Sequence, residues 1–219
     1  MARSVRFAAV SLVGPWALFA AMALEVPLMF QRNAEYLGEA MFTLRWMAVD
    51  FLYFGPIVAA VAATDAARLM RPGRADLTLA HHRRRLWWAL GWCVLPVAAW
   101  HAALFFGAVA LGGDYLPRGG WGRILVALVA QLLAIAWFGC LGSFIGRYLP
   151  PLVAGLAGAA TGLLLMLCIN SSSAGVDPFE PIIDFGASVS QIGILFGLQP
   201  LFIRIALLTV TGVLLAWAP

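Results

Sequence analysis

An all-α integral membrane protein is the fold class this sequence predicts, and three observations carry the prediction. The first is composition. Of 219 residues, 63% are hydrophobic and 11% charged, with a mean hydropathy of +0.92, whereas a soluble domain carries about 25% charged residues. The second is the recurrence of apolar runs of roughly 18 or more residues, each long enough as a helix to cross about 30 Å of hydrocarbon. The third is that these runs are continuous and do not alternate in period two, which selects helices over a barrel.

Residues 1–219 read as a single transmembrane domain with six spans, at about 7–30, 44–63, 86–111, 121–145, 152–169 and 200–217. The first follows a short start carrying Arg3 and Arg6 and is interrupted by Gly14-Pro15. It is longer than the roughly 7–15-residue apolar core of a signal peptide and has no clear small-residue cleavage site, so it reads as a retained helix. A polar connection with Arg32, Glu35 and Glu39 leads to the second span, which has Arg45 at its head and Asp50 inside it.

Residues 64–88 form the most unusual stretch. They hold Arg68, Arg71, Arg74, Arg83, Arg84 and Arg85 against Asp65 and Asp76. Pro72-Gly73 breaks the stretch, and residues 76–85 fit a short helix with Asp76 near its N-terminus and the arginine triplet near its C-terminus, the order a helix dipole favours. Trp87-Trp88 suits a membrane interface at the head of the third span.

A Gly/Pro connection precedes the fourth span and a tight turn at 147–151 precedes the fifth. Residues 170–199 open with Ser171-Ser172-Ser173, carry Asp177, Glu180 and Asp184, and then turn apolar in runs too short to cross. The expected structure there is short helices that dip into the outer surface and return.

Six spans put both termini on one side. The N-terminus, the 64–85 loop and the 147–151 turn hold nine arginines and two acids, against five arginines and six acids on the opposite loops and adjoining helix heads. The positive-inside rule assigns the arginine-rich side, with both termini, to the cytoplasm of a bacterial membrane.

Few residues carry chemistry. There is no lysine, so no P-loop, and the chain has no standard nucleotide site of its own. Cys93, Cys140 and Cys168 are isolated in apolar runs and read as packing thiols, so neither a metal site nor a disulfide framework is expected. Ionisable groups are costly inside a bilayer, which makes Glu25 and Asp50 candidates for a transport pathway; local pairing near the outer helix ends is the competing reading. His101 stands alone in the third span, too few histidines for a membrane haem, and reads as a hydrogen-bonded packing residue. A serine nucleophile in the stretch 186–190 lacks a histidine on its side of the membrane. Gly139, Gly142 and Gly146, then Gly155, Gly158 and Gly162, recur at three- and four-residue spacing, a signature of close helix approach and a possible dimer contact.

The order of parts resembles the membrane subunit of ABC-2 type transporters, the type V ABC exporter fold. The resemblance rests on the loose motifs Ala62-Ala63-Thr64-Asp65-Ala66-Ala67-Arg68, Ala75-Asp76-Leu77-Thr78-Leu79-Ala80, Leu141-Gly142-Ser143-Phe144-Ile145-Gly146-Arg147 and Pro150-Pro151-Leu152-Val153, with His81-His82 standing where a proline is common. It implies six spans with cytoplasmic termini, a cytoplasmic coupling helix between spans two and three, and short re-entrant helices outside between five and six.

By that resemblance the chain is the permease subunit of an ATP-driven exporter of an amphipathic substrate such as a peptide, a lipid-linked molecule or a drug. A second permease subunit, as a homodimer, and separate ATP-binding subunits are its implied partners, in a lipid membrane and with no nucleic acid. ATP and Mg would reside on the ATP-binding partner, with no cofactor in this chain. Asp76, Leu77 and Leu79 would be docking contacts and Arg83, Arg84 and Arg85 the membrane-side anchor. Two alternatives are the substrate-binding membrane component of a vitamin-type importer, kept open by the acidic segment 177–184, and a membrane-embedded enzyme of lipid metabolism, which would need clustered carboxylates or histidines that the sequence does not offer.

Overall fold

The computed structural model describes residues 13–33, 40, 43, 44, 47, 51–70, 79–111, 121–171 and 198–217. These residues are all-helical, in six long helices: α1 (Val13–Asn33), α2 (Phe51–Leu69), α3 (Leu79–Leu111), α4 (Trp121–Gly146), α5 (Pro151–Ser171) and α6 (Leu198–Trp217). Two stretches are long and apolar enough to cross a membrane, Arg84–Leu111 and Ile124–Gly146, and Pro151–Leu167 and Ile205–Trp217 are shorter apolar helices. The expected re-entrant segment lies outside the described residues, as does most of the connection between α2 and α3.

Residue pairing sets the directions. Ala59 meets Gly142 and Ala63 meets Gly146, so α2 and α4 are parallel, while Pro56 meets Gly162 and Thr64 meets Gly155, so α5 runs opposite to α2. Leu90 and Val94 face Gly139, and His101 bonds Gln131, which sets α3 against the direction of α4. Met22 and Glu25 on α1 meet Trp100 and His101, in the direction of α3, and Trp137 on α4 and Arg147 just past its end meet Thr211 and Ala216, in the direction of α6. Successive helices therefore alternate.

The core sits around α2, which packs chiefly on α5 and α4. Phe54, Val58, Ala59 and Ala62 of α2 join Leu18 of α1, Val97 of α3, Ile135 and Phe138 of α4, Met166 of α5 and Leu208 of α6 in one cluster. A second cluster packs Phe105 of α3 and Ile124, Ala127 and Leu128 of α4 against Ala40, Leu44 and Met47. Those last three, with Thr43, are helical and buried at positions i, i+3, i+4 and i+7 of one face.

Close approach makes the α2 packing possible. A Cβ on Gly142 would overlap the Ala59 carbonyl oxygen, and one on Gly158 would come within 2.7 Å of the same oxygen. Four of the six spaced glycines, Gly142, Gly146, Gly158 and Gly162, bring α4 and α5 onto the backbone of α2, while Gly139 admits Leu90 and Val94 of α3 and Gly155 admits the Thr64 side chain.

Two boundaries differ from the sequence expectation. The second helix extends to Leu69, beyond the expected end at 63, because the run Ala62-Ala63-Thr64-Asp65-Ala66-Ala67 holds strong helix formers and Thr64 satisfies its hydroxyl on the Ala60 carbonyl at 2.8 Å. Likewise, a separate short helix ending at Arg85 is not what forms. α3 starts at Leu79 and runs unbroken through the arginines to Leu111, since no glycine or proline falls between residues 79 and 90 to stop it.

Candidate functional site

One cluster of polar side chains is sealed inside the bundle. Glu25 of α1 is 1% exposed, His101 of α3 0% and Gln131 of α4 2%. They lie in series. Glu25 Oε1 is 2.9 Å from His101 Nδ1, His101 Nε2 is 2.9 Å from Gln131 Oε1, and Gln131 Nε2 donates to the Leu44 carbonyl at 2.7 Å. Phe54 of α2 presents its ring edge-on to the imidazole, with centroids 6.3 Å apart.

The end of the series fixes its polarity. A backbone carbonyl only accepts, so Gln131 must turn its amide NH₂ toward Leu44 and its Oε1 toward the imidazole. His101 Nε2 then carries a hydrogen and donates it. What remains is the line between Nδ1 and Glu25 Oε1, which needs one proton between two acceptors. Both ways of filling it, imidazolium with carboxylate or neutral imidazole with carboxylic acid, contain the same number of protons and no net charge, so the cluster can stay buried.

Neighbouring bonds steady the frame. Trp100 Nε1 donates to the Met22 carbonyl at 3.1 Å, one turn from the Glu25–His101 pair, and ties α1 to α3 a second time. Pro27, two residues beyond Glu25, has no N–H to give the Ala23 carbonyl, so α1 lacks one of its own helical bonds beside the site. Glu25 Oε2 has no hydrogen-bond partner among the described residues.

The sequence candidates divide. Glu25 is buried and paired with a side chain from a different helix. His101 is hydrogen-bonded, as expected of it, and its partners are the carboxyl and the amide just described. Asp50 lies outside the described residues, as do Asp76 and Leu77. Leu79 and Arg83 belong to the first turns of α3, Arg84 is exposed and Arg85 half-buried. Cys93 and Cys140 are buried free thiols, and the Cys93 thiol faces the Val58 carbonyl at 3.7 Å.

Sequence reasoning missed Gln131. The signal was present, because it is the one amide side chain in α4 and stands between Arg123 and Ser143 in an otherwise apolar run. A polar group on each of three neighbouring helices has few places to go except to the others. No group of three or more metal-ligating side chains occurs among the described residues. Comparison with protein-family models, with curated proteins and with solved structures returns no match.

Proposed function

We propose that the chain is the membrane permease subunit of an ATP-binding cassette exporter, working in the bacterial cytoplasmic membrane as a pair of permease subunits. In this reading it is a six-span unit with both termini in the cytoplasm. It moves an amphipathic substrate and is driven by a separate ATP-binding subunit seated on the arginine-rich connection between α2 and α3.

The observation that carries the reading is α3. It joins the arginine-rich end to the buried His101 in one uninterrupted helix, from Leu79 through Arg84 and Arg85 to Leu111. Arg85 and His101 are 16 residues apart, about 24 Å along a helix. A push applied at the arginine end is thus carried along one helix toward the bundle interior, past Pro96, which has no N–H to give the Trp92 carbonyl. The partner clamp on α2 gives that push something to act against, since α2 is fixed to α4 and α5 by backbone contact.

Two further features support six spans. Helix directions alternate, which puts the start of α1 and the end of α6 at one end of the bundle, together with Arg68, Arg84, Arg85 and Arg147. Bulky apolar side chains also point outward from every helix: Trp16, Tyr53, Trp92, Leu95, Leu125, Leu152, Leu156 and Leu214 among them. Outward apolar side chains on every helix suit a hydrocarbon surround.

The test is co-purification in mild detergent after co-expression with neighbouring genes. An ATP-binding subunit is expected to co-elute with the intact chain and to be lost when Asp76, Leu77, Arg83, Arg84 and Arg85 are replaced together. A chain that elutes without any ATPase, folded and unaccompanied, removes the basis of the reading.

A further inference from the structure

We propose that the outer face of α3 binds one anionic phospholipid of the leaflet at the arginine end of the bundle. Arg84 holds its phosphate, the indoles of Trp87, Trp88 and Trp92 surround its glycerol region, and an acyl chain lies on Gly91 and Leu95. The inference rests on the membrane reading of the chain and not on the exporter one, and Arg84–Leu111 is long and apolar enough to cross a bilayer.

Positions 84, 87, 88, 91, 92 and 95 recur at three- and four-residue spacing and share one face of α3. Arg84, Trp87, Trp88, Trp92 and Leu95 are all exposed there. Trp100, farther along the same helix, is by contrast half-buried and gives its indole N–H to the Met22 carbonyl. Gly91 stands at the centre of the face. A Cβ on it would meet only Leu95 Cδ1, at 3.9 Å. Gly142 and Gly158 admit the backbone of another helix of the fold, whereas Gly91 leaves a notch rimmed by three indoles and a leucine and open to the outside.

The chemistry along the face follows the order of groups in a phospholipid. Arg84 and Trp88 are four residues apart, about 6 Å along a helix, and the headgroup layer of a bilayer is about 5–8 Å deep on each side. Trp92 lies a further turn inward, and Leu95 stands at the level of the hydrocarbon. A guanidinium can donate two parallel N–H bonds to phosphate oxygens. Indoles favour the interface, where the N–H can donate to an ester carbonyl while the ring stays among apolar groups.

Charge selects the occupant. The 33 residues of α3 include Arg83, Arg84 and Arg85 and no aspartate or glutamate, so the complementary anion comes from outside the helix. A second copy of the chain is poorly suited to supply it. Among the described residues its acids are Glu25, which is buried, and Asp65, which stands 3.9 Å from Arg68. An anionic lipid brings phosphate and hydrocarbon on one molecule, the two things this face is built to meet.

The test is native mass spectrometry of the full chain, purified in detergent without any partner subunit and titrated with phosphatidylglycerol or with phosphatidylcholine of equal chain length. One phosphatidylglycerol is expected to bind about fivefold tighter than phosphatidylcholine, the effect of one arginine at an anionic lipid surface. Arg84→Gln should erase that preference. Gly91→Leu, whose Cβ has room, should weaken both lipids and keep the preference. Helical circular dichroism should match the wild type in both variants, because both changes fall on the outer face. Equal affinity for the two lipids, a preference that survives Arg84→Gln, or binding untouched by Gly91→Leu would each overturn the assignment. Displacement of the lipid by excess inorganic phosphate would do the same, as would a lipid-free dimer that Gly91→Leu dissociates, which gives the face to a second copy. With no ATP-binding subunit present, the outcome is separate from that of the co-purification.

Discussion

Around Ala59 the helices are held by shape, and around His101 by hydrogen bonds. At the first place α4 and α5 both press glycines onto the α2 backbone, so that two Cβ positions converge on a single carbonyl oxygen. At the second, α1, α3 and α4 are joined by buried side chains hydrogen-bonded to one another. The two places fail differently when disturbed. Interdigitated backbones lose contact steeply as they part, because a gap of about 0.5–1 Å already forfeits a quarter to a half of the dispersion attraction. A hydrogen-bonded line can open, be filled by water and close again. The glycine region is the fixed frame of the molecule and the polar region is its seam.

The largest effect should come from breaking the frame. Gly142→Leu places a whole side chain where the Ala59 carbonyl stands, beside an oxygen that Gly158 of α5 already crowds. The expected loss is above about 4 kcal/mol, read as the absence of a monodisperse folded peak by size-exclusion chromatography in detergent. A protein that folds normally with this substitution would mean that α2 and α4 are not in backbone contact.

Next comes the seam. His101→Phe takes the imidazole away from both Glu25 Oε1 and Gln131 Oε1 in a buried place, and should cost about 3 kcal/mol. Adding Glu25→Leu should return part of that loss, because one of the two orphans is then removed. A double variant less stable than either single one, by thermal unfolding in detergent, would place the cluster among rigid packing elements and erase the contrast with Ala59.

Gly158→Ala probes the frame more gently. Its Cβ would approach the Ala59 oxygen to 2.7 Å and the Ala63 Cβ to 3.1 Å, so a small displacement of α5 is needed. About 2 kcal/mol is expected, seen as a lowered Tm with unchanged helical circular dichroism.

How much of this could be read from the chain differs between the same two regions. The glycine spacing in α4 and α5 was legible as a close-approach signal, because a missing side chain announces itself at fixed intervals. Which helix would fill the groove was not, since alanines such as Ala59 and Ala63 are as common in lipid-facing positions as in buried ones. In the seam, Glu25 and His101 each stood out by the cost of burying them. Their pairing was hidden, because they are 76 positions apart and the contact depends on the relative height of α1 and α3 in the bundle. Helix ends were the least legible. Asp65 and Arg68 look like loop residues by charge, yet they belong to the last turns of α2 and stand at i,i+3 with 3.9 Å between their charged atoms.

The smallest effect should appear where α6 joins the frame. Trp137 on α4 donates its indole N–H to Thr211 Oγ1 at 2.9 Å. Thr211 already gives its own hydroxyl hydrogen to the Leu207 carbonyl at 2.6 Å, one turn back in the same helix. Trp137→Phe therefore removes one donor but leaves no buried hydrogen without an acceptor, and the threonine oxygen keeps its intrahelical role. An interhelical bond of this kind contributes about 0.6 kcal/mol inside a membrane protein. Part of the contact survives regardless, because the Phe138 ring beside it keeps its own place in the core. A Tm shift of one or two degrees is expected. A loss as large as that of Gly158→Ala would mean that α6 is joined to α4 by the indole alone, and that the fixed frame ends at α4.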